Sequence, residues 1–125
     1  STIPTETSLT AIVNTREMIE SVERVSLIIT ERLKSPLRCD FSEDSISLQC
    51  ITSIGKANDK IGASLNGDGL EIGFNNKYLL DALKNTECDE IRIELNSPLS
   101  PMKILPKEGE SFLFLVLPVR LKAND

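Results

Sequence analysis

The chain contains no histidine and no tryptophan, one tyrosine, four phenylalanines and three cysteines among its 125 residues. Each shortage removes a class of chemistry. Without histidine the commonest general base and the commonest metal ligand are missing, so neither a hydrolase nor a metal or other cofactor is expected. Cys39, Cys50 and Cys88 are odd in number and form no C-x-x-C. A disulfide framework or zinc site is therefore not expected, and reduced core thiols in a cytoplasmic protein are. No run approaches the roughly 18 apolar residues that cross a membrane. The opening "STIPTETSLT" lacks the basic and apolar parts of a signal peptide. It also lacks an initiator Met, as expected of a processed or excised segment. The net charge of −5 offers no basic surplus for tight, salt-driven nucleic-acid binding.

What remains is an ordinary globular balance, 40% apolar and 26% charged. The length suits one domain with a core that needs no disulfide or metal. Thr7 to Val13 reads as a strand, and Asn14 with Glu17 forms a capping box for a helix that should stop before Pro36. Met18, Ile19, Val22, Val25 and Ile29 recur at helical spacing. "LRCDF" and "SISLQCI" read as strands joined at the hairpin signal "SEDS". "KIGASL" reads as a strand, "NGDG" as a tight turn and "LEIGF" as a strand. Asn75 or Asn76 caps a second helix, with Leu79, Leu80 and Leu83 facing inward and Lys77, Asp81 and Lys84 outward. "EIRIEL", "MKIL" and "SFLFLVL" supply three closing strands.

Laid on itself, the sequence nearly repeats. Leu9 falls on Leu70, Asn14 on Asn75, Arg16 on Lys77, Met18 on Leu79 and Val22 on Leu83. The expectation is an α+β domain of two β-α-β-β-β half-repeats, with two helices packed on antiparallel sheet. "NGDGLE" lacks the ligand spacing of an EF-hand, and "IGK" lacks the Gly-rich run of a P-loop.

The stretch "FNNKYLLDALKNTECDEIRIELNSPLSPMKILP…FLFLVLPVRL" resembles the C-terminal third of a bacterial β sliding clamp, the processivity subunit of the replicative DNA polymerase. "IPTETSLTAIVNTREMIESVERVSLI" is similar to the strand and helix that open that domain, so the resemblance covers nearly the whole chain. It implies the last of three domains in a homodimeric, non-catalytic ring around duplex DNA, the first two domains lying outside residues 1–125.

The resemblance also implies a surface pocket for short peptides of polymerases, the clamp loader and repair proteins. Carried over position by position, its residues are Thr2, Asn75, Tyr78, Leu99, Pro101, Leu115, Leu117, Pro118, Val119, Arg120 and Leu121. By alternation alone, Leu115 and Leu117 read as core. Leu117 stands where the family often has Met, a stiffer choice. Arg16, Arg24, Lys77 and Lys84 would face DNA, diluted by Glu17, Glu20, Glu23 and Asp81. Leu27, Ile28 and Asp59 would meet the neighbouring protomer, although Lys56 and Lys60 depart from the acidic edge strand of other members. The competing reading is a free-standing α+β domain that binds peptides with no role on DNA.

Overall fold

The computed structural model describes residues 8–28 and 35–121. The chain runs β1 (Leu9–Asn14), α1 (Thr15–Val25), a 3-10 turn (Ser26–Ile28), β2 (Leu37–Ser42), β3 (Ser45–Thr52), β4 (Gly55–Gly62) and β5 (Ser64–Gly67). It repeats with β6 (Leu70–Phe74), α2 (Asn76–Lys84), β7 (Glu90–Leu95), β8 (Met102–Pro106), β9 (Phe114–Val116) and β10 (Pro118–Val119).

Both helices begin as their sequences dictate. Asn14 and Asn75 are extended at φ −70° and −74°, and each side chain accepts from the first-turn amides. Asn14 Oδ1 takes the Glu17 N–H at 2.9 Å, and Asn75 Oδ1 takes the Lys77 N–H at 2.9 Å and the Tyr78 N–H at 3.3 Å. These bonds satisfy donors that a helix start otherwise leaves orphaned. Met18 and Val22 on α1 and Leu79 and Leu83 on α2 are fully buried, while Leu80 is only half-buried. Truncating such a fully buried side chain to Ala costs about 2–5 kcal/mol. The predicted inward residue Ile29 lies outside the described residues.

The strands form two antiparallel sheets, ordered β5-β1-β7-β8-β9 and β10-β6-β2-β3-β4. Each order maps onto the other when the two halves are exchanged. The first strand of each half is inserted into the sheet of the other: Val13 pairs with Ile91, and Phe74 pairs with Leu37. The halves are thus interlocked rather than side by side, and one continuous core lies beneath both helices. The observed unit carries one short strand more than the expected five-element pattern.

Three details differ from the sequence expectation. "KIGASL" is not one strand. It divides at Ala63 between β4 and β5, which belong to different sheets, and the Ala63 amide bonds to the Asp44 carbonyl at 3.0 Å. "NGDG" likewise crosses between sheets instead of closing a hairpin. Gly67 there has φ +122°, and a Cβ would stand 2.0 Å from the Ser8 carbonyl oxygen, so only glycine fits. Finally, "SFLFLVL" gives only the short strand β9, and after Leu117 the chain joins the other sheet as β10.

Candidate peptide-binding surface

The break between β9 and β10 explains why the most apolar run of the chain is not wholly buried. Val116 pairs with Met102 and points into the core, whereas Leu115 and Leu117 are 58% and 71% exposed. Alternation therefore misassigns both leucines. β9 is an edge strand of three residues, and its Leu115 lies on the face turned away from the core that receives Val116. Arg92 steadies the approach to it, donating to the carbonyls of Lys107 at 3.3 Å and Gly109 at 3.2 Å while pairing with Glu94 at 2.9 Å.

Past Leu117 the chain lies along β6, with Pro118 opposite Phe74 and Val119 opposite Gly73. Phe74 leads directly into Asn75, whose cap fixes the first turn of α2 and hence Tyr78, which is 70% exposed. α2 in turn packs against β9. The expected residues Asn75, Tyr78, Leu115, Leu117, Pro118 and Val119 thus come from elements that are direct neighbours. Leu99 and Pro101 are exposed on the connection from β7 to β8, which is tied by the Ser97–Ser100 hydroxyl contact at 2.9 Å. Thr2 lies outside the described residues.

A recess of about 280 Å³ opens beside this surface, lined by Arg38, Glu71, Gly73, Pro98, Leu99, Arg120 and Leu121. Only Leu99, Arg120 and Leu121 belong to the expected set, and Tyr78, Leu115 and Leu117 do not line it. Arg38 and Glu71 form an ion pair at 3.3 Å. A Cβ on Gly73 would stand 2.6 Å from Leu121 Cδ2 and 2.9 Å from the Val119 carbonyl oxygen. The bare glycine is what lets the end of the chain lie flat on β6. An isolated glycine within "LEIGF" is a sequence signal of such close approach, and it could have led to this part of the site.

The four expected DNA-facing cations are all exposed, but two have partners within the domain. Arg24 Nη2 lies 2.7 Å from Asp59 Oδ2, and Lys84 Nζ lies 3.3 Å from Glu23 Oε2. Arg16 and Lys84 line a cleft of about 640 Å³ between the start of α1 and the end of α2, shared with Glu87, Asp89 and Glu90. This is a mixed surface, too acidic for strong phosphate retention.

Where the neighbouring protomer is expected to dock, Leu27 is 80% exposed, whereas Ile28 is half-buried against the core. The Arg24 hydrogen bond holds the Asp59 carboxyl below its usual pKa. Burial pushes the Cys39 thiol up to about 12 and raises that of Cys50, so these core sulfurs are unreactive. Among the described residues no cluster of His, Cys, Asp and Glu could hold a metal ion. No described helix is long and apolar enough to cross a membrane.

Residues 1–120 match the family model for the DNA polymerase III beta subunit, C-terminal domain. The chain is 34% identical over 123 residues to the beta sliding clamp of Bacillus subtilis, covering 96% of this chain and 32% of that protein. It is 30% identical over 122 residues to the beta sliding clamp of Synechocystis, covering 95% of this chain and 31% of that one. The crystal structure of the Bacillus subtilis DNA polymerase sliding clamp superposes with a TM-score of 0.90 at 33% identity, over 96% of this chain and 32% of that chain. The beta subunit from Thermotoga maritima gives 0.89 at 29% identity, over 96% and 33%. The chain therefore spans about a third of the length of these relatives.

Proposed function

The chain belongs to the family formed by the C-terminal domain of the DNA polymerase III beta subunit, and from that membership we propose that it is the last of three domains of a sliding clamp. In this reading the intact protein is a homodimeric ring that encircles duplex DNA and raises polymerase processivity. It acts without catalysis or cofactor, and its helices face the DNA.

The domain's own part is to dock short peptides of polymerase, clamp loader and repair proteins. Tyr78, Leu115 and Leu117 supply apolar contact, and Leu99, Pro101 and Pro118 to Leu121 supply the adjoining wall. Asn75 sets the helix start, and Thr2 is counted with them on the family resemblance alone. The carrying observation is the exposure of Tyr78, Leu99, Leu115 and Leu117 in a chain that buries most of its other large apolar side chains. Exposed apolar side chains with a polar rim are the ordinary anchor site of a linear motif. Partial pairing of Arg24 and Lys84 suits a ring held on DNA by topology, since strong phosphate contacts would oppose sliding.

The test is a titration of the isotope-labelled chain with a peptide of the glutamine-leucine-phenylalanine type, followed by backbone amide shifts. Saturable shifts around Tyr78, Leu99 and Leu115 to Leu121, lost in Tyr78→Ala, are expected. Saturable shifts confined to another face would sink the assignment.

A further inference from the structure

The recess beside the peptide surface opens on the face of the second sheet that turns away from the core. Ile72 and Phe74 of β6 are fully buried, so the alternate residues Glu71 and Gly73 point to the opposite face. Arg38 of β2 stands across from Gly73 and pairs with Glu71 at 3.3 Å. Leu121 lies over Gly73, and Pro98 and Leu99 reach in from the connection between β7 and β8. At about 280 Å³ the recess is smaller than the roughly 300–1,000 Å³ of a small-molecule site and suits one or two side chains.

Three of its lining side chains are charged. Arg38 and Glu71 engage each other, and the Arg38 side chain is only 16% exposed. Arg120 is exposed and has no ion-pair partner among the described residues. Asp40 stands opposite Glu71 in the pairing but does not line the recess. The lining therefore holds one surplus positive charge, set beside apolar Pro98, Leu99 and Leu121. A carboxylate on a short apolar stem matches both features, and a guanidinium is its natural partner. A lysine there would meet Arg120 and compete with Arg38 for Glu71.

The recess is continuous with the peptide surface, sharing Leu99, Arg120 and Leu121 with it. Leu121 follows Leu117 by four positions, at most about 13 Å of extended chain. A peptide seated on Tyr78 and Leu117 that runs on beside β10 reaches the recess with its third or fourth residue beyond the anchor. We propose that the recess is a flanking subsite that takes one glutamate of the bound peptide, its carboxylate on Arg120 and its methylene groups against Leu99 and Pro98. This rests on the peptide-surface reading above and adds to it a charge preference outside the apolar anchors.

The probe is the glutamine-leucine-phenylalanine peptide extended by a Ser-Gly-Ser spacer and then Glu, Gln or Lys, on each end in turn, titrated into the labelled 125-residue chain. From one end the Glu form is expected to bind roughly two- to fivefold tighter than the Gln form at low salt, and the Lys form more weakly than either. Its added amide shifts should fall at Arg38, Gly73 and Leu99. The gap should close at about 1 M salt. Arg120→Gln should remove the preference for Glu over Gln, and Glu71→Gln, which releases Arg38, should enlarge it. Equal affinities of the three forms from both ends, or a preference that survives Arg120→Gln, overturns the proposal. The unextended peptide separates this from the reading beneath it. If it binds around Tyr78 while the three extended forms are equivalent, only the recess assignment falls; if it does not bind, both fall.

Discussion

Arg24 and Asp59 meet at 2.7 Å between α1 and β4. The contact ties a cation expected to face DNA to a carboxylate expected to face the neighbouring protomer, so neither is an independent charge. Its pH dependence follows from the lowered carboxyl pKa of Asp59, caused first by the Arg24 hydrogen bond. A folded value below the unfolded one of about 3.9 means the contribution is complete above that pH and fades as pH falls through the folded value. The pair is exposed, so the effect should be small and salt-sensitive. Asp59→Asn should lower the urea midpoint at about pH 7, and its gap from the wild type should close as pH falls through the folded carboxyl's lowered pKa. A gap that persists to the acid end would mean that the carboxylate's charge is not what matters.

The hairpin turn offers a stabilising change. Glu43 and Asp44 both sit in the left-handed region, at φ 52° and 57°. This is the two-residue turn that favours Asn-Gly. A side chain there costs roughly 1–2 kcal/mol, least for Asp and Asn. Glu43→Asn with Asp44→Gly should therefore raise stability by about 0.5–1 kcal/mol, read as a higher urea midpoint with unchanged slope. A fall would show that the native side chains make contacts worth more than the relieved strain.

Gly73 tests the recess without touching its charged side chains. Gly73→Ala puts a methyl group 2.6 Å from Leu121 Cδ2, and a leucine tip can move aside at modest cost. The Val119 carbonyl at 2.9 Å cannot yield without loosening β10. Expected are displaced Leu121 methyl resonances, faster exchange around Val119, a lowered thermal midpoint and weaker peptide binding. Unaltered peptide affinity would separate the recess from the binding surface.

These cases mark how far the sequence could be read. Both helices were legible because Asn14 and Asn75 are strong local signals and the apolar spacing behind each is regular. The β2–β3 hairpin was legible for the same reason, since a turn is decided by adjacent residues. The transfers at Ala63 and Leu117 were not. Where a strand leaves one sheet for another depends on partners far away in the chain, Ile12 opposite Ser64 and Phe74 opposite Pro118. Local alternation also placed Leu115 and Leu117 in the core, because a run apolar at every position does not say which alternate set faces inward, and here Phe114 and Val116 do. Their surface role came only from the family resemblance. Arg38 and Glu71 carried no local signal at all. They reach the recess because β2 and β6, distant in sequence, are neighbours in the sheet.

The two caps permit a comparison internal to the domain. Asn14 and Asn75 occupy equivalent places, with φ and ψ within a few degrees and a side-chain oxygen on the first-turn amides. Replacing either by Ala should cost about 1 kcal/mol (range 0.5–2) of stability, read as similar falls in urea midpoint. Their effects on peptide binding should differ. Asn75 holds the Tyr78 amide at 3.3 Å, so its loss lets the first turn of α2 fray beneath Tyr78 and should weaken binding of the glutamine-leucine-phenylalanine peptide. Asn14 starts the other helix and should leave peptide affinity unchanged. Asn75→Ser, which retains a capping oxygen, should restore both stability and affinity if Asn75 acts by positioning Tyr78. Restored stability with affinity still lost would mean instead that the Asn75 amide group itself touches the peptide.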